Sequence, residues 1–388
     1  MTRVLMVASV ASVIKQFNME NIRVLQELGC AVEVACNFEN GNSCSLRAVD
    51  DLKLVLESMN VTYHQIDFVR SPVRILSLAK SFFQIKELTK GTQFAFIHCQ
   101  TAVASILVRQ VARIVNTPVV YTAHGFHFHQ GGPIIAWMLF YPLERLMSSY
   151  TEALITINQE DYLTAKAKFH MKHLYHIHAV GVNLERFARN EIKRRMIREE
   201  LNITDSDFLI LSVGELNTNK NHKVVIESLG MVTDPSVKYA IVGQGHLQQK
   251  LMKMVKTLRL EDRVFLLGYR EDVPSLVSAA DLFAFPSRRE GMGLACIEAM
   301  AAGVPAVGSP VRGIREYIIP GQTGYLCSPD DSTAYAESIR KLRGDKLLLE
   351  KLGENACEMS MRYDIKITNN FMKEIYAKVL SDSIERLQ

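Results

Sequence analysis

Little in the composition of this 388-residue sequence points to a membrane-spanning, disulfide-bonded or nucleic-acid-binding protein. Charge of one sign is scarce, because 45 basic and 41 acidic residues give a net charge of +4, too little for a strongly basic nucleic-acid-binding protein. No apolar run reaches the ~18 residues of a membrane-spanning helix, and the closest, 131–143, contains two prolines. The seven cysteines include no C-x-x-C pair, which indicates free thiols in a reducing compartment and neither a disulfide framework nor a zinc site.

The amino terminus makes a poor secretory signal. Met1 to Arg3 precede an apolar stretch, but a two-residue lead with one arginine is a weak amino-terminal region for such a signal. We interpret this stretch as a buried first strand followed by a turn, and we expect a cytoplasmic protein.

Short apolar runs alternate with amphipathic stretches along the whole chain, which is typical of parallel α/β architecture. In the first half the pattern predicts strands at residues 4–8, 32–36, 63–68, 94–99, 119–123, 153–157 and 175–178. In the second half it predicts strands at residues 208–213, 238–242, 264–267, 282–285, 305–307 and 324–327. The pattern pauses over residues 181–202, so we expect two doubly wound domains in series that join near residues 181–189.

The first domain is predicted to span 1–185 and the second 186–363, followed by a helix over 364–388. Open parallel sheets bind ligands beyond the carboxyl ends of their strands. If the two sheets face each other, the binding site lies in the cleft between them.

The strongest candidate for a ligand site is the segment from Pro286 to Glu298. An apolar strand is followed by Glu290, a turn with Gly291 and Gly293, and then a helix that contains Glu298. A glycine turn before a helix N-terminus suits an anion, because unpaired backbone N–H groups point at it. A carboxylate such as that of Glu298 accepts two hydroxyl hydrogen bonds and suits a ribose diol. The alternative is that both glutamates are ordinary surface residues around a loop.

Two further strand ends carry glycine turns. Asn217 and Lys220 follow the strand that ends at Val213, and Lys220 at a helix start suits a diphosphate, although a solvated lysine is the commoner outcome. Gly243 follows the next strand in a sequence that is not the G-x-G-x-x-G fingerprint. That fingerprint is also missing after the first strand, which lowers the case for a nicotinamide or flavin enzyme.

Three histidines, His124, His127 and His129, follow the apolar strand at residues 119–123. His124 lies where an active-site side chain would project, and the other two fit ordinary loop positions. A zinc site is disfavoured because no carboxylate or cysteine lies at ligand spacing. The triplet Asp205-Ser-Asp207 precedes its strand, so it lies at the wrong end of the sheet for a ligand site.

The combination of these segments resembles the retaining family 4 glycosyltransferases. Glu-Gly-Met-Gly-Leu-Ala-Cys-Ile-Glu from Glu290 to Glu298 resembles their E-x7-E motif. Four other segments occur along the chain in the order expected for the family, and they start at Val213, Gly268, Ala301 and Gly321. The first-half segments around His124 and 181–187 resemble bacterial capsule and exopolysaccharide transferases in particular.

The resemblance implies the GT-B fold, an α/β architecture of two facing Rossmann-like domains with a C-terminal helix that crosses back to the first. It implies a nucleotide-sugar donor, UDP-linked, in the second domain and an acceptor, a lipid-linked saccharide, in the first. Carried over by position, Glu298 would bind ribose, Glu290 the transferred sugar and Lys220 the diphosphate. The amides of Leu294 and Ala295 would hold the distal phosphate, Tyr269 and Arg270 would border the base, and His124 would lie near the donor sugar.

Two departures from the family pattern stand out. Glu215 occupies the position where many members have a phosphate-binding arginine, so Arg288, Arg289 or Arg312 would have to substitute. Residues 8–12 offer small side chains but no glycine after the first strand. We expect no metal cofactor, because Lys220, nearby arginines and the helix N-terminus could stabilise the leaving diphosphate. The alternatives are a UDP-sugar 2-epimerase of the same fold and a non-catalytic transferase-like subunit.

The charge distribution suggests a membrane partner for the first domain. Residues 1–189 contain 18 basic and 14 acidic residues, whereas 190–388 contain 27 of each, so the first half carries the whole excess. The stretches 71–90 and 134–146 combine basic and aromatic side chains that suit an anionic bilayer surface; they are Arg74, Lys80, Lys86, Lys90, Phe82, Phe83, Trp137, Phe140 and Tyr141. The alternative is that both stretches are helices that cover their own sheet, with the aromatic side chains inside.

Overall fold

The computed structural model describes residues 2–42, 44–69 and 74–387, and their contacts divide the chain into two compact units. The first unit comprises Met1–Val180 and Ile367–Gln388, and the second comprises Gly181–Lys366. The sequence puts the division after residue 185 instead. Residues 181–185 lie in the second unit because Val182 pairs with Asp364 and its N–H donates to the carbonyl of Tyr363 at 2.8 Å.

The first unit is built on a seven-stranded sheet with the order β3-β2-β1-β4-β5-β6-β7, and its strands pair in parallel. Its strands are β1 Arg3–Val10, β2 Ala31–Asn37, β3 Thr62–Gln65, β4 Phe96–Cys99, β5 Val119–Ala123, β6 Ala153–Thr156 and β7 His173–His176. Its helices are α1 Ala11–Phe17, α2 Met19–Glu27, α3 Leu46–Ser58, α4 Ile75–Thr89, α5 Ala102–Ile114, α6 Ile134–Ser148 and α7 Gln159–Lys168. The strand order reverses beside β1, so the loops that follow β1 and β4 flank an open crevice.

The second unit repeats this plan with six strands in the order β10-β9-β8-β11-β12-β13. Its strands are β8 Phe208–Val213, β9 Val237–Val242, β10 Val264–Gly268, β11 Leu282–Phe285, β12 Ala306–Gly308 and β13 Gly324–Leu326. Its helices are α8 Leu184–Phe187, α9 Glu191–Glu200, α10 His222–Met231, α11 Gln248–Thr257, α12 Val273–Ala279, α13 Leu294–Ala301, α14 Ile314–Tyr317, α15 Ser332–Gly344 and α16 Lys346–Ser360. A 3-10 turn, Met361–Tyr363, leads into α17, Ile365–Leu387. Here the strand order reverses between β8 and β11.

The predicted strands are all present; the central ones are buried apolar runs, whereas β3 and β7, at the two edges of the first sheet, are only partly buried. The bounds of β8 and β11 are those predicted. Strand β3 ends earlier than predicted because the N–H of Asp67 donates to the side chain of Gln84 on α4, at 2.9 Å, instead of to a strand. Strand β7 begins earlier than predicted because its pairing starts where His173 lies opposite Ala153.

Helix α17 returns the chain to the first unit. Of the apolar residues spaced four apart along its sequence, Ile375 and Val379 are buried, whereas Ile367 and Phe371 are exposed. Polar contacts that the apolar pattern does not reveal fix the orientation of the helix. The Tyr376 hydroxyl lies 2.7 Å from Nδ1 of His98 on β4, and an ion-pair network around Asp382 holds the helix beside β7. Across the described residues, no helix combines the length and the apolar character needed to cross a bilayer.

Candidate active site

The loops after β8 and β11 are bound to each other at the point where the second sheet reverses its strand order. The N–H of Arg288 donates to the carbonyl of Asn219 at 2.8 Å, and Nδ2 of Asn219 donates to the carbonyl of Arg289 at 2.9 Å. Nδ2 of Asn221 also donates to the carbonyl of Pro286 at 3.3 Å. The segments that contain Lys220 and Glu290 are therefore held in one fixed arrangement.

Two glycines are required in this region because the backbone approaches other groups too closely for a side chain. Gly243 has a φ of 143°, and a Cβ there would lie 2.0 Å from the carbonyl oxygen of Gly214. Gly293 has a φ of 80°, and a Cβ there would lie 2.3 Å from the ring of Phe285. The loops after β8, β9 and β11 can therefore pack together only with glycine at these positions.

Helix α13 begins directly at the glycine turn and offers a site for an anion. Gly293 precedes the first helical residue and has no side chain that could cap the helix. The N–H groups of Leu294 and Ala295 belong to the first turn and have no partner within the helix, whereas the N–H of Cys296 donates to the carbonyl of Gly293 at 3.1 Å. The helix dipole adds positive potential at the same place.

Lys220 and Glu290 form an ion pair, with 2.5 Å between Nζ and Oε1. The stem of Lys220 lies against Gly214, where an added Cβ would be 3.2 Å from its Cδ, and Nζ lies 5.1 Å from the centre of the Phe285 ring. Asn217 supports the turn, because its Oδ1 accepts the N–H of Lys220 at 2.9 Å. Separate roles for Lys220 and Glu290 were predicted, but their contact was not, since sequence spacing does not show which loops meet.

Glu298 lies one turn into α13 with a partly buried carboxylate. Burial raises the pKa of this carboxyl to about 7, and the positive charge of Arg186 opposes that shift. Arg186 belongs to α8, which packs against α13. No described residue forms a hydrogen bond or ion pair with the Glu298 carboxylate, so a ligand with hydroxyl groups would find its acceptor oxygens available.

In the first unit, His124 is held by a buried chain of hydrogen bonds. Its Nε2 lies 2.6 Å from Oε1 of Gln100, whose Nε2 lies 3.2 Å from Nε2 of His98. Nε2 of His98 also lies 2.9 Å from the hydroxyl of Thr122, and its Nδ1 faces Tyr376 on α17. Burial lowers the pKa of His124 to about 4, and burial together with His124 lowers the pKa of His98 to about 3.

With the Gln100 amide oriented so that its oxygen faces His124, these contacts define the tautomer of His124. The Gln100 amide nitrogen can only donate, so Nε2 of neutral His98 accepts and its Nδ1–H donates to the Tyr376 hydroxyl. The Gln100 oxygen then accepts the Nε2–H of His124. Neutral His124 therefore keeps its lone pair on Nδ1.

Known proteins match this arrangement over nearly the whole chain. Residues 193–359 match the family described as glycosyl transferases group 1, and residues 3–158 match the family described as glycosyl transferase 4-like. A protein of Bacillus subtilis (strain 168), EpsD, bears a glycosyltransferase name and is 33% identical over 382 residues, which cover 97% of this chain and 96% of EpsD. This chain belongs to the family 4 glycosyltransferases.

A second relative agrees with this assignment, and a solved structure has the same fold. A UDP-Gal:α-D-GlcNAc-diphosphoundecaprenol α-1,3-galactosyltransferase of Escherichia coli is 29% identical over 296 residues, which cover 72% of this chain and 75% of that protein. The fold is the GT-B fold of Anabaena Alr3699/HepE, solved in complex with UDP and glucose, at a TM-score of 0.78 and 20% identity over 97% of this chain and all of that one.

The glycosyltransferase lacks the family arginine after β8, and the structure separates the candidates that could replace it. Arg288 is held by Asp330, with 3.0 Å between Nη1 and Oδ2. Arg312 is buried. Arg289 is exposed beside Glu290, and its carbonyl is fixed by Asn219. Of the three, Arg289 alone combines an exposed position with the lack of an ion pair to a described residue.

Other predicted site residues lie apart from the glycine turn or have other partners. The guanidinium of Arg270 is engaged by Asp272 and Glu200, with Nε 2.7 Å from Oδ1 of Asp272, and Tyr269 is half exposed. His127 stacks on Phe140 with 4.6 Å between ring centres. Within the described residues, His124, His127 and His129 form no cluster able to bind a metal ion.

We expect Gln100→Glu to raise the pKa of His124 by at least about one unit, because a carboxylate would replace the amide oxygen that faces its Nε2–H. An NMR titration of the histidine rings would measure the shift. Gln110→Glu, an exposed change of the same charge on α5, is the control. Equal His124 pKa values in the two variants would show that Gln100 does not contact the ring in solution.

Glu298→Gln should stabilise the ligand-free protein at high pH only. The folded-state pKa of about 7 lies above the ~4.3 of an unfolded glutamate, so the folded state loses stability as the pH rises between these values. Because the carboxylate is partly accessible to water, we expect a gain of about 1–3 kcal/mol in the free energy of unfolding at pH 8 and little change at pH 5. Urea denaturation at both pH values, with exposed Glu354→Gln as the control, measures the difference. A gain of the same size at both pH values would contradict burial as its cause.

Proposed function

We propose that this glycosyltransferase moves a hexosyl or N-acetylhexosaminyl group from a UDP-sugar to a lipid-linked saccharide, with retention of anomeric configuration and without a metal ion. The proposal depends mainly on the groups around the glycine turn. They are the uncapped N-terminus of α13, the unpartnered Glu298 carboxylate on that helix, and the Lys220–Glu290 pair on the loops before it. A nucleoside diphosphate sugar presents the matching chemistry of a ribose diol, two phosphates and sugar hydroxyls.

The residues of the glycine turn divide this chemistry among them. Glu298 accepts the ribose hydroxyls, and the N–H groups of Leu294 and Ala295 hold the distal phosphate. Lys220 leaves its pair with Glu290 to neutralise the diphosphate, which frees Glu290 to accept hydroxyls of the transferred sugar. We assign His124, with its lone pair on Nδ1, to the transferred sugar as well.

The proposed reaction is a displacement on one face of the sugar. The bond between the anomeric carbon and the phosphate oxygen breaks, and the acceptor oxygen bonds to the same face of that carbon. The departing phosphate oxygen takes the proton of the acceptor hydroxyl. The negative charge that builds on the diphosphate is stabilised by Lys220, Arg289 and the helix N-terminus.

The relatives support the acceptor and the pathway in this proposal. The Escherichia coli relative is named for a diphosphoundecaprenol-linked acceptor, and a relative of Staphylococcus aureus, CapM, is named for capsular polysaccharide biosynthesis. We therefore propose a role in exopolysaccharide or capsule biosynthesis, at the cytoplasmic face of an anionic membrane. EpsD, CapM and the Escherichia coli relative are all named as glycosyltransferases, so the 2-epimerase alternative is not favoured.

Substitution of the two glutamates should impair different steps, UDP binding for Glu298 and turnover for Glu290. We expect Glu298→Ala to weaken UDP binding about 10- to 100-fold, because two hydrogen bonds to a charged acceptor are lost. Glu290→Ala should keep UDP affinity within about threefold and lower turnover at least about 100-fold, because it contacts only the sugar. Calorimetry with UDP and UDP release from a panel of UDP-sugars provide the two measurements, and Glu354→Ala is the control. Unchanged UDP affinity in Glu298→Ala would end the assignment of this site.

Activity should survive chelation. Lys220 and the helix N-terminus supply positive charge, and Asp205-Ser-Asp207 lies before β8, away from the glycine turn. We expect transfer from the UDP-sugar in EDTA to stay within about twofold of the untreated rate. If EDTA abolished transfer and a divalent ion restored it, the electrostatic account of the leaving group would be wrong.

A further inference from the structure

Helix α6 is apolar on the side that faces solvent. Ile134, Ile135, Met138 and Leu139 are between 63% and 75% exposed, and Leu146 follows at 53%. The only charged side chain exposed on this helix is that of Arg145. A helix on the surface of a soluble protein normally turns its polar residues outward, so this face is unlike one that meets only water.

The inward side of α6 carries the polar groups instead. Glu144 is buried and forms an ion pair with buried Arg109 of α5 at 2.8 Å, and Arg109 also donates to the hydroxyl of Ser105 at 3.0 Å. The aromatic residues Trp137 and Phe140 pack against the first-unit core, as in the alternative that places them inside. Trp137 lies three residues before Phe140, and Phe140 lies four residues before buried Glu144. This spacing places all three on the same, inward side of the helix.

The surroundings of α6 are positively charged. Helices α4, α5 and α6 pack side by side over the same core, and residues 74–148 contain seven basic and two acidic residues. Among these residues the Arg109–Glu144 pair is buried, and Glu87 is the one exposed acid beside six exposed bases, of which Lys80 is paired with Asp67 at 2.7 Å and Lys90 lies 3.9 Å from Glu87; these bases are Arg74, Lys80, Lys86, Lys90, Arg113 and Arg145. Helix α4 adds exposed Ile75, Leu76 and Phe83 to this surface. Residues 71–73 of the predicted membrane stretch lie outside the described residues.

We propose that the apolar face of α6 inserts into the interface of an anionic lipid bilayer, with the bases around it on the headgroups. An apolar face surrounded by positive charge has the chemistry of an interfacial amphipathic helix. A second copy of this chain fits less well, because two surfaces with the same excess positive charge would repel each other. The inference rests on the proposed function for the lipid-linked acceptor that such a bilayer would hold.

This attachment would reach the loop that carries His124. The Nε1–H of Trp137 donates to the carbonyl of His129 at 3.0 Å, and His127 stacks on Phe140. The inner side of α6 therefore holds the loop between β5 and α6 in place. If a bilayer binds the outer side of α6, the distance between that loop and the bilayer surface is set by the helix.

The test is sedimentation of the full chain with vesicles of phosphatidylcholine alone or mixed with phosphatidylglycerol. We expect binding to the mixed vesicles that falls with added salt, and we expect Ile135→Glu with Leu139→Glu to weaken it roughly tenfold or more. The matched control is Ile192→Glu with Met196→Glu on α9, which has the same spacing and the same charge change at 64% and 62% exposure. The control should bind like the wild type.

Three results would overturn the proposal. The first is that the wild type does not bind the mixed vesicles at low salt. The second is that both double variants lose vesicle binding equally. The third is that the protein forms a dimer in solution and that only the α6 variant abolishes it. Calorimetry with UDP keeps this test separate from the proposed function, because both variants should bind UDP like the wild type. Failure of the wild type to bind UDP would contradict the proposed function. The vesicle result would still decide whether α6 attaches to the bilayer.

Discussion

The close approach of backbone segments at the carboxyl edge of the second sheet determines the geometry of the site. With a Cβ at Gly243 only 2.0 Å from the Gly214 oxygen, and one at Gly293 only 2.3 Å from the Phe285 ring, the loops could not meet as they do. Their contact brings the stem of Lys220 over Gly214 and its amine to Glu290. The same turn ends where α13 begins, so the amides of its first turn open onto these charges. The chemistry of the site thus depends on the lack of a side chain at Gly243 and at Gly293.

The charges at this site are balanced differently on its two sides. Lys220 and Glu290 neutralise each other, so neither leaves an uncompensated charge in a partly buried loop. Glu298 has no such partner, and burial raises its pKa to about 7. Hydroxyl groups that donate to its carboxylate would favour the ionised form and offset the cost of burying it. The glutamate is therefore costly to the empty protein and favourable once a diol is bound.

The sequence predicts those features that depend on local pattern. Strand β11 is a continuous apolar run, and β8 is interrupted only by Ser212. Each strand stops directly before a turn residue, Gly214 or Pro286, so even their bounds are predicted. Glu290, Glu298 and the glycine turn are recognised from their spacing. Features set by distant partners were missed. Sequence spacing does not reveal that Lys220 meets Glu290, or that Arg186 lies near Glu298, and the apolar pattern of α17 gives no sign that His98 sets which face is buried.

Helix α6 also shows the difference between what local sequence pattern predicts and what distant contacts decide. Its aromatic residues alone predict either a membrane face or a core stripe, and the fold assigns them to the core. A buried Arg109–Glu144 pair costs desolvation that apolar residues of similar volume would avoid, so inward polarity does not favour the isolated fold. Outward Ile134, Ile135, Met138 and Leu139 also gain nothing in water. Contact of the outer face with an apolar phase would make burial of those four side chains favourable, whereas the cost of the Arg109–Glu144 pair is the same with or without that phase.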